Sequence, residues 1–428
     1  MASVLILRAV RLCLGLPMAL APFLAGAAEP AHKDASSSPV EQRIEAARKR
    51  LQTAPKSWQS YYDLAAALCR KARDRADVAV YDQAQAALDR CFELSPDNFE
   101  ARKLQATVWL GKHQFAEALK LATELNNKTH DDLGAWSLLV DANAALGNYA
   151  EAERDAQWIL DLRPGSSLGF EKAAGLRVLF GDPAGAIEFF NEAERRISQN
   201  DADQHAWLLT QSAREELALG KTDEAGKLLA EALKWFPDSQ LALEVMAHLR
   251  IAEGKYSDAA ALFDKRYRAT PNAANLYDWA AALEASGQTQ QAAAAFAKFE
   301  TIARAEVSKP YNSNLELIYF YVDRKAAPAE ALALAERETA MRQDCATLEA
   351  YAWALYRTRR YVEAAAQMNR ALAVGVRDPV YFCHAAQIAA KTNDATSEKR
   401  FRKELAALPT SSSCPLNQPV ESAREVQR

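Results

Sequence analysis

The chain has 428 residues, half of them apolar, with only 15 glycines and 16 prolines and with alanine at roughly a fifth of all positions. Such a balance supports a large buried core and excludes sandwiches and barrels, which need turn residues every few positions, as well as collagen-like and disordered chains. Lys and Arg number 52 against 56 Asp and Glu, a net charge of −4, so there is no basic excess to release counterions from phosphates, and nucleic acid is excluded as the expected partner.

Residues 1–28 read as an export signal. Arg8 and Arg11 precede an uncharged apolar stretch from Leu12 to Gly26, and the small residues Ala25, Ala27 and Ala28 come before the first acid, Glu29. A basic start, a short apolar core and a small-residue cleavage site are the parts of a secretory signal. Pro17 and Pro22 interrupt the run, which at about 15 residues is short of the roughly 20 a membrane span requires. The expectation is cleavage after Ala27 or Ala28 and an exported, periplasmic or envelope-associated protein with no span left. A retained anchor is the alternative. Cys13 stands too early to be a lipid-bearing first residue.

Residues 29–39 form a polar linker. Val40–Thr53 is amphipathic and predicts a capping helix within 40–56. Tyr61, Leu64, Ala65 and Leu68 then mark one helix, and Ala84, Leu88 and Pro96 its partner, with extra residues around Lys71–Val80 that lengthen the pair. Residues 99–132 keep the same spacing through Ala106, Trp109, Phe115 and Ala118. The sharpest copy runs from Leu133 to Ser166, with Trp136, Leu139, Val140, Gly147, Tyr149, Ala152, Ala156, Ile159 and Pro164. In phase with it come Ala174, Gly181, Ala186 and Phe190, then Ala213, Gly220, Ala225 and Pro237, then Ala247, Gly254, Ala259 and Pro271, then Ala280, Gly287, Ala292 and Phe296. Weaker copies occupy 312–344 and 345–378, and a last unit carries Phe382, Ala386 and Leu405. Short insertions fall at Asn200–His205 and Ser308–Tyr311. Residues 410–428 form a polar tail.

This recurrence of large and small residues resembles the tetratricopeptide repeat family, a helix hairpin of 34 residues. The resemblance implies an all-α protein, a right-handed superhelical α-α solenoid of about ten hairpins over 57–409. Small residues at the eighth and twentieth repeat positions let two helices approach, Gly at the fifteenth turns the chain, and Pro at the thirty-second stops the second helix. One unit cannot bury its apolar face alone, so the units must stack.

The resemblance further implies that positions 2, 5, 9, 12 and 13 of each first helix line a concave groove. Position 5 reads Glu171, Thr210, Glu244, Asp278, Glu316 and Glu349 in six successive units. Position 9 adds Arg214, His248, Phe320 and Trp353, and position 12 adds Tyr356. The acids predict a ladder that meets an extended, neutral to basic protein or peptide segment, with Phe320, Trp353 and Tyr356 anchoring an apolar side chain. A merely solvated helix face is the competing reading. The Lys and Asn clamp by which relatives hold a carboxylate tail is missing.

No signature of catalysis, metal or cofactor is present: no nucleophile elbow, no His-Glu-x-x-His, no closely spaced cysteine pair and no phosphate loop. The Gly-Lys pairs at Gly111, Gly220 and Gly254 sit where each hairpin turns. Cys69, Cys91, Cys345, Cys383 and Cys414 remain after signal removal, and a disulfide between Cys383 and Cys414 is expected because the tail can bring Cys414 within bonding range. The sequence therefore predicts a non-enzymatic binding scaffold or assembly factor of the bacterial envelope, the alternative being an accessory subunit of envelope polysaccharide or secretion machinery.

Overall fold

The computed structural model describes residues 38–309, 312 and 314–409. The signal segment 1–28, the linker up to Ser37 and the tail 410–428 lie outside the described residues. Within them the chain forms twenty-one helices and no strand. A lone helix α1 (Pro39–Thr53) precedes ten antiparallel hairpins: α2 (Trp58–Arg75) with α3 (Val78–Leu94), α4 (Phe99–Gly111) with α5 (Phe115–Lys128), α6 (Leu133–Leu146) with α7 (Tyr149–Leu162), α8 (Ser167–Leu179) with α9 (Pro183–Glu194), and α10 (Ala202–Ala218) with α11 (Thr222–Trp235). The second five are α12 (Gln240–Ala252) with α13 (Tyr256–Ala269), α14 (Ala273–Ala285) with α15 (Thr289–Glu306), α16 (Asn314–Asp323) with α17 (Pro328–Met341), α18 (Cys345–Arg357) with α19 (Tyr361–Leu372), and α20 (Pro379–Lys391) with α21 (Ala395–Ala406).

Alanines at the helix crossings explain the pairing. Ala65, Ala106, Ala174, Ala213, Ala247, Ala280, Ala352 and Ala386 on first helices, and Ala84, Ala118, Ala152, Ala186, Ala225 and Ala259 on second helices, are completely buried. A methyl is the largest group that lets two backbones come this close, and leucines such as Leu88, Leu125, Leu179 and Leu229 fill the space to either side. First helices also touch their counterparts in the next unit, α2 with α4, α4 with α6 and α10 with α12, so they build the inner wall.

Two local devices repeat. Most hairpins start on a capping side chain: Asn98 accepts from the Ala101 N–H at 2.9 Å, Asp132 from Ala135 at 2.7 Å, and Asn272 from Asn275 at 2.8 Å. Each hairpin then turns through one residue with positive φ, glycine at 147, 181, 220, 254 and 287, and Ala76, His113, Ala326, Arg359 and Asn393 in the other five units. The insertion at Asn200–His205 is absorbed by lengthening α10 to 17 residues, and the extra residues near Lys71–Val80 lengthen α2 to 18 and α3 to 17.

The solenoid is wound so tightly that it touches itself. The turn of the first hairpin meets the starts of the sixth and seventh: Asp74 accepts from Ser239 Oγ at 2.9 Å and from the Gln240 N–H at 3.1 Å, and Asn272 Nδ2 donates to the Ala76 carbonyl at 3.2 Å. Tyr149 in the third turn accepts from the Cys345 N–H at 2.8 Å. Gly181 in the fourth lies against Gly375, and Gly220 in the fifth against Pro409. These contacts trace a seam in which the first, third and fourth hairpin turns rest on inter-hairpin loops of the second half, and the fifth on Pro409 just past the last helix.

Candidate functional site

The inner wall is where the sequence places its acids, and there the structure pairs them within the chain. Glu171 is buried and accepts from Gln204 Nε2 at 2.8 Å. Thr210, also buried, turns its hydroxyl back onto the Ala206 carbonyl at 2.7 Å. Arg214 Nη1 donates to Gln211 at 3.0 Å, and its Nη2 lies 3.6 Å from Glu244. Glu244 receives the stronger partner from a second helix, Arg266 Nη2 at 2.6 Å, and the same guanidinium stands 3.5 Å from Asp278. His248 is half-buried and meets Phe263 edge-on, with centroids 5.5 Å apart. Glu316 is buried.

At the far end of the wall, Glu349 is fully buried between the Tyr319 hydroxyl and Nδ1 of His384. Trp353 is sandwiched between His384, at 3.7 Å and 4°, and Tyr356, at 4.8 Å and 8°, and its indole N–H donates to Asp323 at 2.9 Å. Only Tyr356 of this stack is half-buried. Phe320 is 3 % exposed and packs between the seventh and eighth hairpins, against Phe296 and Phe299 of α15 at 5.8 and 5.6 Å. The carboxylates at these positions are engaged by other residues of the chain, Trp353 is buried in a stack, Tyr356 is half-buried and Phe320 is packed against aromatic rings of the preceding hairpin.

Several wall groups carry no signal that the repeat register highlights. Lys172 reaches both oxygens of Asp141 at 2.7 and 2.6 Å, one unit apart and without exposure. Its only sequence hint is a lysine beside Glu171 in the middle of a largely apolar helix. Arg70 and Arg73 of α2 reach α10 from 131 residues away, the former meeting Asp201 and Asp203 at 2.7 and 2.8 Å and the latter Gln204 at 2.9 Å. No periodicity predicts such a pairing.

Burial governs the titration of this wall. Burial pushes Glu215 up to about 7 against the opposing pull of Arg214. Asp203 is pushed up by burial but drawn further down by Arg70 and Arg43, and ends well below the usual carboxylate range. Among the described residues no group of His, Cys, Asp and Glu is arranged to hold a metal ion, and no helix is long and apolar enough to cross a membrane. Cys69, Cys91 and Cys345 are free and buried, and Cys383 is disulfide-bonded. The partner of Cys383 is thus not one of the described cysteines, and the expected partner Cys414 lies outside the described residues.

A tetratricopeptide-repeat family model matches residues 216–283. No curated protein matches at a significant level. Among solved structures, PilW, a type IV pilus biogenesis factor, is similar at 17% identity and a TM-score of 0.40, over 51% of this chain and 96% of that one. The human IFIT1 dimer with PPP-AAAA aligns at 14% identity and a TM-score of 0.47, over 87% of this chain and 92% of its own. A tetratricopeptide repeat protein from Parabacteroides merdae aligns at 16% and 0.38, over 69% and 98%. At these values none of the three carries an argument about what this chain binds.

Proposed function

We propose that this chain, whose residues 216–283 match a tetratricopeptide-repeat family model, is a non-enzymatic scaffold or assembly factor of the bacterial envelope that holds a protein or extended peptide against its inner wall. The observation that carries the reading is how the wall spends its charges. Several of its charges are paired within the chain, Lys172 with Asp141 and Arg266 with Glu244, and so serve packing. The half-buried Glu244, His248, Asp278 and Tyr356 remain within reach of a ligand, and the acids among them favour a neutral to basic one. Export is supported by the charge, apolar and small-residue order of residues 1–28 and by a disulfide at Cys383, a bond that persists in oxidising compartments.

The alternative is an accessory subunit of envelope polysaccharide or secretion machinery. Affinity capture of the tagged chain from envelope extracts, with and without polysaccharide, separates the two. The scaffold reading expects the same co-purifying protein in both extracts. Loss of that protein when polysaccharide is removed supports the alternative, and capture of nothing from either extract removes the scaffold reading.

A further inference from the structure

At the N-terminal end of the seam, three arginines from the start of the chain sit on the beginning of α10. Arg43 of α1 donates Nη2 to Asp201 at 2.7 Å and Nε to Asp203 at 3.1 Å. Arg70 donates Nη1 to the same two carboxylates at 2.7 and 2.8 Å, and Nη2 to Asp201 at 3.3 Å. Arg73 bonds Gln204 at 2.9 Å while its guanidinium carbon lies 5.2 Å from the centre of the Trp207 ring. Gln204 in turn donates to Glu171. Two carboxylates, an amide carbonyl and an indole face make a complete receptor for guanidinium groups.

Asp201 shows that this is more than helix capping. It occupies the capping position of α10, where Asn98, Asp132, Ser166, Ser239, Asn272 and Asp344 each bond their own helix at other hairpin starts. Asp201 makes no such bond. Its carboxylate is turned to Arg43 and Arg70, and the N-terminus of α10 is left without its side-chain cap. A small cavity bordered by Val40, Arg70, Arg73, Asp203, Trp207 and Phe236 adjoins the contact, so the arginines do not fill the space they close.

We propose that α1 forms an autoinhibitory strap, its Arg43 seated on a notch of Asp201 and Asp203, with Gln204 and Trp207 beside them, that takes an arginine-bearing peptide segment when α1 lifts. The strap is held by ion pairs in which the Arg43 side chain is 37% exposed, so salt weakens it. A tethered occupant competes at a high effective concentration, and an external arginine segment binds weakly until that competition is removed. The proposal rests on the protein-binding reading, but its test does not need the natural partner.

The test is the affinity of the full exported chain for two capped peptides, tetra-arginine and tetra-lysine, read by Trp fluorescence or calorimetry at low and moderate salt. The strap predicts that Arg43→Ala binds tetra-arginine about tenfold tighter than the wild type. It further predicts that Asp203→Asn in that background abolishes the gain and that tetra-lysine gains little. Thermal melts identify any variant that has lost its fold, and Asp201→Asn, whose side chain is 21% exposed, then replaces Asp203→Asn. Equal affinity in wild type and Arg43→Ala, or a gain that survives removal of the carboxylates, overturns the strap. A partner cross-linked elsewhere on the wall would then still stand. A confirmed strap with no partner in envelope extracts would instead leave the notch and remove the scaffold.

Discussion

Lys172 Nζ lies 2.7 and 2.6 Å from the two carboxylate oxygens of Asp141, and neither side chain reaches solvent. The pair joins the third and fourth hairpins. An ammonium and a carboxylate taken out of water recover their hydration only through each other. Lys172→Met alone leaves Asp141 buried without a counter-ion and is expected to cost about 3–5 kcal/mol of stability. The double variant Lys172→Met with Asp141→Leu should recover most of that loss or exceed the wild type. Denaturant titration of the two variants checks this, and a double variant as unstable as the single one would show that the pair does more than neutralise itself.

The seam makes five identical-looking glycines unequal. A Cβ on Gly147 would come 2.6 Å from the Gln343 carbonyl oxygen, and one on Gly220 would come 2.7 Å from Pro409, whereas nothing lies within 4 Å of Gly254 or Gly287. Gly254→Ala therefore carries only the left-handed backbone cost, about 1–2 kcal/mol. Gly147→Ala adds a clash with backbone, expected at about 1–3 kcal/mol more, and loosens the seam. The converse change is favourable at Arg359 and Ala326, which hold positive φ of 65° and 50°. Either residue replaced by glycine should gain up to about 1 kcal/mol. Equal losses for Gly147→Ala and Gly254→Ala would mean the seam does not bear on stability.

Two seam carboxylates set a pH dependence. Burial pushes Asp74 up to about 7 against its bonds from Ser239 and Gln240, with Asp238 adding to the rise and Arg75 opposing it. Burial likewise pushes Asp378 up to about 7 despite its bonds from the Val380 and Tyr381 N–H groups, with Glu349 adding to the rise. Both values stand above the roughly 3.9 of an unfolded aspartate, so the folded chain binds more protons. Their contribution is complete below about pH 4 and is lost as pH rises through about 7. The denaturation midpoint is expected to fall between pH 5 and pH 8, and to fall less in Asp74→Asn. A midpoint that rises over that range contradicts the assignment.

How much of this was legible follows from what repeats. The alternation of alanine with large residues, the turn glycines and the Asx starts recur in phase, and each is a local requirement of a hairpin, so the sequence displays the solenoid openly. The wall positions of Glu171, Glu244 and Glu349 follow from the same phase. What they bond does not, because Arg266 comes from a second helix and His384 from the next unit's first helix at a different register. Phe320 misled for a related reason: α16 has only 10 residues, and the Phe320 ring packs against Phe296 and Phe299 of the preceding hairpin, a contact that the repeat spacing does not reveal. The seam was invisible, since Arg43 and Asp201 are 158 residues apart and the winding that joins them is a small angle accumulated over several units.

The central claim is that the inner wall receives a protein partner. Its most direct measurement is site-resolved photo-cross-linking in intact cells of the native host, with the reactive residue placed at His248 or Tyr356 on the wall and, as controls, at the exposed Trp158 and Val362 on second helices. The account predicts that one protein is captured from His248 and Tyr356 and not from Trp158 or Val362. Capture from Trp158 and Val362 alone, with the two wall positions silent, would contradict it.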